Sequence, residues 1–177
     1  MTPPAAPEPD NCSSQHHASD ASAVACAVIT VSDTRTEADD RGGQTLVELL
    51  EEAGHQVVAK HIVPDEPAEI RSLLETLIND GSVSAVLLTG GTGISQRDQT
   101  CETVASLLTK PLPGYGELLR MLSYQEIGAK AMLSRAVGGV AGQTVVLTMP
   151  GSPAAVRLAM QQVILPTLGH LVREATK

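Results

Sequence analysis

Aromatic residues are nearly absent from this chain of 177 residues, which has no tryptophan, no phenylalanine and only two tyrosines. Because 42% of the residues are nonetheless hydrophobic, the core must be built from aliphatic side chains. So few rings also exclude the stacking surfaces on which single-stranded nucleic acids bind. Length and hydrophobic content together predict one folded domain with a core of its own.

Positive charge is also scarce, since 12 lysines and arginines face 20 acidic residues and the net charge is −8. This balance argues against binding to nucleic acid or to an anionic membrane. No run approaches the roughly 18 apolar residues of a membrane-spanning helix. A phosphate ligand must therefore be held by backbone amides, a few arginines and a metal.

The three cysteines, Cys12, Cys26 and Cys101, are odd in number and widely spaced, and they form no CxxC motif. This usage indicates a reducing compartment. Residues 1–22 are rich in proline, serine and alanine and are predicted to be a disordered tail without the apolar segment of a signal peptide. We therefore expect a cytoplasmic protein with a single domain over residues 23–177.

Apolar strand-like runs alternate with helical spacing from residue 23 onward. The pattern predicts a three-layer α/β/α fold with a mostly parallel sheet, because such strands are buried on both faces. Strands are predicted at 23–32, 56–63, 85–88 and 144–148, with a bend or short strand at 134–140. Helices are predicted from Leu46 to Gly54, from Ile70 to Gly81, after residue 100, at 117–122, at 124–133 and after Ser152, the last one with a break at Pro166.

The sequence VLLTGGTGISQRDQT, residues 86–100, places a glycine loop between the third strand and a helix. Small residues in such a loop let backbone N–H groups approach an anion. Asp98 would repel a phosphate unless a divalent cation lies between them, since Mg²⁺ binds through one or two carboxylates plus substrate phosphates. The alternative is that Asp98 only caps the next helix.

The carboxyl ends of parallel strands share one edge of the sheet, where open α/β folds bind ligands. Two carboxylates from separate ends, Asp65 and Asp98, are therefore predicted to hold one Mg²⁺ ion for phosphoryl or nucleotidyl transfer. Alternatively, Asp65 caps a helix and Asp33 forms an Asx-turn. The further candidate ligand-binding residues are Ser32, Asp33, Thr89, Gly90, Gly91, Thr92, Gly93, Arg97, Ser134, Arg135, Gly151 and Ser152.

Other nucleotide-binding and hydrolase motifs are missing. The chain contains no GxxxxGK[ST], and its TGGTG follows the third strand, unlike a dinucleotide-binding GxGxxG after the first. It contains neither HExxH nor GxSxG. P-loop ATPases, dehydrogenases, zinc proteases and α/β-hydrolases are therefore disfavoured.

The motifs TVSDTR, VPDE, TGGTG with RDQT, GYGE, SRAVGGV and MPGSP stand in an order that resembles the MoaB/MogA family of molybdenum-cofactor biosynthesis. The resemblance covers residues 23–177. It implies a molybdopterin-binding α/β domain that uses Mg²⁺ and ATP to convert molybdopterin into adenylyl-molybdopterin and pyrophosphate. It also implies a homo-oligomer, either a trimer or a hexamer, and matches the family's two key aspartates to Asp65 and Asp98.

The segments DTRTEADDRGG and SYQEIGAKAMLSRAVGGV are more similar to the MoaB branch, in which some members lose the first carboxylate and adenylation activity. Both carboxylates are present here, which favours activity. Tyr115 and Gln99 depart mildly from the family pattern. A non-catalytic molybdopterin carrier is the main alternative, and a scaffold domain is a weaker one.

Overall fold

The computed structural model describes residues 22–177 and contains a single six-stranded sheet. The predicted tail lies, apart from residue 22, outside the described residues. No helix formed by the described part of the chain is long and apolar enough to cross a bilayer. The strands are β1 (Ala25–Val31), β2 (Gln56–Val63), β3 (Ala85–Thr89), β4 (Lys110–Pro111), β5 (Gly138–Ala141) and β6 (Thr144–Met149).

The sheet order is β2-β1-β3-β6-β5-β4, and its first four strands are mutually parallel. Strands β3 and β6 are buried along their whole length, as expected of apolar strands covered on both faces. All four predicted strands are therefore confirmed. The segment predicted as a bend or short strand contributes β5, which pairs antiparallel with β6 and β4.

In the described range 22–177, six α-helices connect or flank the strands. They are α1 (Arg41–Glu52), α2 (Pro67–Asn79), α3 (Thr100–Leu107), α4 (Pro113–Ile127), α5 (Pro153–Ala159) and α6 (Leu168–Ala175). A 3₁₀ helix over Gly128–Leu133 follows α4, and a π-helical turn over Met160–Ile164 follows α5. The break predicted at Pro166 is confirmed, since α6 begins at Leu168.

Two helix boundaries differ from the predictions. Helix α1 begins five residues before Leu46, because the buried Asp40 side chain caps it by accepting a hydrogen bond from the Gly43 amide. The two segments predicted at 117–122 and 124–133 are one α-helix and a 3₁₀ helix. The boundary falls at Gly128, whose φ of 62° ends α4.

The two faces of the sheet carry separate aliphatic cores, which confirms the three-layer arrangement. Alternate residues of β1 point to opposite sides, so Val28 packs with α1, α4, α5 and α6, whereas Ile29 packs with α2 and α3. The one buried tyrosine, Tyr115, donates a hydrogen bond from its hydroxyl to Thr148 O at 2.8 Å. Its ring therefore fills the aliphatic core without leaving a polar atom unpaired.

Candidate functional site

A cavity of about 820 Å³ lies where the carboxyl ends of β1, β2, β3 and β6 meet. The sequence-predicted residues that line it come from all four loops. They are Ser32, Asp65, Thr89, Gly90, Gly91, Thr92, Gly93, Asp98, Gly151 and Ser152. The structure thus brings the two predicted carboxylates and the glycine loop to the same cavity, as the topology of a parallel sheet requires.

Four predicted residues, Asp33, Arg97, Ser134 and Arg135, do not line this cavity. The Arg97 guanidinium forms an ion pair with Asp33 at 2.8 Å and another with Glu66. It therefore ties the glycine loop to the loops after β1 and β2.

Arg135 lies behind the glycine loop, where its Nη1 donates to Gly93 O at 2.9 Å and its Nη2 pairs with Glu102. Ser134 is buried. In this structure, these positions brace the rim of the cavity.

The glycine loop makes two left-handed turns that only glycine adopts easily. Gly90 has a φ of 95° and Gly91 a φ of 59°. A Cβ atom on Gly90 would lie 2.3 Å from Val31 O, and one on Gly91 would lie 2.4 Å from Asp65 Oδ1. Any side chain here would collide with the neighbouring loops. The Gly90 amide donates to Met149 O at 3.2 Å, which leaves the Gly91 amide for an anion.

Asp98 is held by the loop in which it lies. Its Oδ2 accepts a hydrogen bond from the Ser95 amide at 2.9 Å. Hydrogen bonding from the Ser95 side chain, and then from the Ser95 and Gly93 amides, keeps the pKa of Asp98 below its usual value. The capping alternative is wrong, because α3 begins after Gln99 and no side chain caps it. Asp98 is therefore an ionised carboxylate fixed at the cavity wall.

Asp65 is half-buried, and its pKa is raised by burial and then by the negative charges of Asp33 and Asp98. Its own amide donates to Asp33 Oδ1 at 3.0 Å, so Asp33 links two loops and does not form the Asx-turn considered above. The capping alternative fails for Asp65 too, since Glu66 precedes α2 and contributes no side-chain cap. The two carboxylates of the cavity thus have pKa values shifted in opposite directions, a pattern common at functional sites.

Several lining residues were not predicted from the sequence, including Asp40, Arg41 and Leu133. Asp40 is almost fully buried and accepts hydrogen bonds from Thr30 Oγ1 at 2.8 Å and from the Gly43 amide at 2.9 Å. The signal for Asp40 is present in the sequence, because an aspartate before a helix is a common N-cap. Nothing in the sequence signals Leu133.

Ser152 caps a helix at the last loop. Its Oγ accepts a hydrogen bond from the Ala155 amide at 3.2 Å and caps α5, with Pro153 in the first turn. The neighbouring Gly151 carbonyl lies only 2.7 Å from where a Cβ on Gly42 would be. The N-terminus of α1 and the loop after β6 therefore approach each other at backbone distance on one side of the cavity.

The lining carries four carboxylates, Asp39, Asp40, Asp65 and Asp98, against two guanidinium groups, Arg35 and Arg41. A phosphate entering this cavity would meet excess negative charge. Among residues 22–177, no cluster of three or more His, Cys, Asp or Glu side chains is arranged to hold a metal by itself. The Oδ1 atom of Asp65 is buried and has no hydrogen-bond partner, and it therefore retains a lone pair for a ligand or donor. This donor set suits Mg²⁺, which completes its coordination with ligand phosphates and water.

Comparison with known proteins places this site in context. The family model described as a probable molybdopterin binding domain matches residues 27–170. The chain belongs to the MoaB/MogA family. It is 52% identical over 152 residues to molybdenum cofactor biosynthesis protein B of Bacillus cereus, which covers 85% of this chain and 90% of that protein. With the Bacillus subtilis protein of the same name it shares 50% identity over 155 residues, or 87% and 91% of the two chains.

Solved structures of family members share the fold. A crystal structure of molybdenum cofactor biosynthesis protein B superposes with a TM-score of 0.85 at 51% identity, over 88% of this chain and 97% of the other. The tungsten cofactor synthesizing protein MoaB from Pyrococcus furiosus superposes with a TM-score of 0.77 at 34% identity, over 88% and 98%. Membership of the family and the role of its proteins in molybdenum cofactor biosynthesis confirm the resemblance inferred from the motifs.

Proposed function

We propose that this protein catalyses the Mg²⁺- and ATP-dependent adenylylation of molybdopterin, giving adenylyl-molybdopterin and pyrophosphate. The observation that carries the proposal is that Asp65 and Asp98 line one cavity together with the glycine loop, residues 89–93. Two acidic groups beside an anion cradle are what a cation-bridged phosphate ligand needs. The proposal requires a carboxylate at both positions.

In the proposed reaction, an oxygen of the molybdopterin phosphate attacks the α-phosphorus of ATP. The new P–O bond forms as the bond to the β-phosphate breaks, and pyrophosphate leaves. The amides of Gly91 and Thr92 would bind and orient phosphate oxygens, while Asp65 and Asp98 would hold the Mg²⁺ ion. When bound, the ion would supply neutralisation of phosphate charge. Positioning and charge neutralisation suffice for such a transfer, so no covalent nucleophile is required.

The test is release of pyrophosphate from purified protein with Mg²⁺, ATP and molybdopterin. Asp98→Asn and Asp65→Asn remove one charge each with little change in size, and each is expected to lower kcat by at least about 100-fold, as is common for groups that stabilise transition-state charge. Asp80→Asn at the end of α2, which changes an exposed aspartate outside the cavity, is the matched control. Unchanged turnover in the Asp98 variant would remove that residue from the mechanism.

A non-catalytic molybdopterin carrier is the second candidate. It is favoured by one observation, which is that Asp98 already accepts a hydrogen bond from the Ser95 amide and so has a structural role without a metal. This candidate predicts that molybdopterin binds without ATP-dependent release of pyrophosphate, and that neither asparagine variant alters binding. Mass spectrometry of small molecules that copurify with the protein identifies the ligand class directly.

We also propose that the protein is a homo-oligomer, a trimer or a hexamer, that acts in the cytoplasm. Among residues 22–177, seven of the eight large hydrophobic residues that are exposed lie between residues 94 and 133. They are Ile94, Leu118, Met121, Tyr124, Ile127, Met132 and Leu133. Apolar exposure concentrated in this way is typical of an interface. Because Leu133 also lines the cavity, the interface would adjoin the site.

Light scattering tests the proposed interface. Met121→Glu is expected to dissociate the oligomer, because it places a charge on α4, the helix that carries four of these exposed residues. Val58→Glu is the matched control, since Val58 is also exposed but lies on β2 at one edge of the sheet. An unaltered mass for Met121→Glu would place the interface elsewhere.

A further inference from the structure

Only two buried side-chain oxygen or nitrogen atoms within residues 22–177 have no hydrogen-bond partner, and these are Asp65 Oδ1 and Thr100 Oγ1. Nearly all buried polar atoms in native proteins are paired, because an unpaired one costs about 1–3 kcal/mol. Two such atoms in one structure therefore require an explanation. The positions of the two oxygens explain it, because both belong to the same small region.

Both oxygens face Gly91. A Cβ atom built on Gly91 would lie 2.4 Å from Asp65 Oδ1 and 2.3 Å from Thr100 Oγ1, so the two oxygens are separated by no more than these two distances together. The Thr100 amide also donates to Gly91 O at 3.0 Å, which fixes the start of α3 against the glycine loop. Thr100 is fully buried, and its hydroxyl therefore cannot form a hydrogen bond with solvent.

The chemistry of the two groups is complementary. A threonine hydroxyl donates one hydrogen and rotates to suit its acceptor, whereas an ionised carboxylate only accepts. A small rotation of either side chain would bring them into one hydrogen bond, and that bond would satisfy both orphaned atoms. Among the described residues, no other unpaired buried side-chain atom is available to either group.

We propose that the Thr100 hydroxyl donates a hydrogen bond to Asp65 Oδ1 and thereby fixes the orientation of the Asp65 carboxylate toward the cavity. Thr100 is then a positioning residue, which acts on the ligand only through Asp65. The inference rests on the proposed adenylylation for its effect on rate, but the pairing itself does not. It gives the buried hydroxyl of Thr100 a function, and it explains why Gly91, between the two groups, has no side chain.

Two substitutions separate the hydroxyl from the shape of the side chain. Thr100→Val removes the hydroxyl at nearly constant volume, and Thr100→Ser keeps the hydroxyl but loses a methyl group. We expect Thr100→Val to lower the kcat of pyrophosphate release about tenfold or more, the effect of losing a hydrogen bond to a charged group, with the KM for ATP within about twofold. Thr100→Ser is expected to retain most of the wild-type kcat. A valine variant as fast as wild type, or a serine variant as slow as the valine variant, would overturn the proposal.

A double-mutant cycle in unfolding measures the pairing without any catalysis. Thr100→Val and Asp65→Ala should be non-additive in their effects on the denaturation midpoint, because they remove the donor and the acceptor of one hydrogen bond, whereas asparagine at position 65 would still accept it. Thr100→Val and Asp98→Ala should be additive. Additivity in the first cycle would overturn the pairing. Non-additivity in a protein that releases no pyrophosphate would uphold the pairing while refuting adenylylation. If Thr100→Val does not fold, Thr100→Ala takes its place in the cycle.

Discussion

Replacing Gly91 by alanine tests whether the glycine loop is fixed by backbone conformation alone or also by crowding at the site. The φ of 59° at Gly91 costs an alanine about 1–2 kcal/mol. The added Cβ would also lie within 2.4 Å of two oxygen atoms and 2.9 Å from Val31 Cγ1, distances that a close-packed site cannot absorb without moving. Overpacking of this kind costs about a further 1–3 kcal/mol. We expect the free energy of unfolding to fall by about 2–5 kcal/mol.

Gly81→Ala is the matched control for Gly91→Ala. Gly81 has a φ of 71°, yet nothing lies within 4 Å of a Cβ built on it, so the variant isolates the conformational cost. Guanidinium unfolding should be followed by far-UV circular dichroism, since the chain has no tryptophan. All proteins should be compared at one concentration, because the stability of an oligomer depends on it.

The difference between the two glycine variants is the decisive quantity. The midpoint of Gly91→Ala should lie below that of Gly81→Ala by an amount equivalent to about 1–3 kcal/mol. Only Gly91→Ala should also impair pyrophosphate release, since only its Cβ displaces Asp65. Equal midpoints for the two variants would show that the loop relaxes freely around a side chain, and would refute the close contact between Gly91 and Asp65.

Further predictions concern stability. Asp65→Asn should raise the Tm at pH 7, because the raised pKa of Asp65 means that stability is lost as pH rises through it, and this difference should vanish below the usual pKa of an aspartate. Asp98→Asn should lower the Tm at pH 7, because the lowered pKa of Asp98 stabilises the folded state, and this difference should vanish only at a lower pH than the first, below the lowered pKa of Asp98. Arg97→Gln should lower the Tm only slightly, and less at high salt, because its ion pairs are exposed; an effect unchanged by salt would contradict this. Tyr115→Phe should cost about 0.5–1.5 kcal/mol in calorimetry through the lost bond to Thr148 O, and a neutral result would contradict it.

The parallel half of the fold was predictable because its strands are rich in apolar and β-branched residues, even though β2 also contains Lys60 and His61. Helix α1 shows where such reasoning fails. Its first turn contains Gly42 and Gly43, which are poor helix formers, and the buried Asp40 supplies the cap that compensates. The antiparallel edge was largely unpredictable because β4 has only two residues, too few for any hydrophobic period.

The candidate site was predictable to the extent that it follows from topology. Asp65 and Asp98 are 33 positions apart in the sequence but share the cavity, because both follow parallel strands. The position of Arg97 depends instead on which partner is nearest after folding, and Asp33, 64 positions away, pairs with it. An arginine in a loop signals a charge but not the direction in which it points. This is why Arg97 and Arg135 were predicted to contact the ligand, whereas in the structure they bind the protein.

The unfavourable electrostatic interactions among the carboxylates of the site act mainly on one residue, Asp65. Asp33 is balanced by Arg97, and Asp98 is held by hydrogen bonds from its own loop, so the pKa values of both are lowered. Burial and the negative charges of both raise the pKa of Asp65, Arg97 offsets this only in part, and one buried oxygen of Asp65 is unpaired in the structure. A cation that binds between phosphate and Asp65 would relieve this repulsion, and the free energy so released would favour the bound state over the free protein. The surrounding loops are already fixed by ion pairs and hydrogen bonds, so little of that energy would be spent on ordering them. The site is therefore preorganised: its loops are fixed before the ligand binds, and a bound cation would balance the negative charge at Asp65.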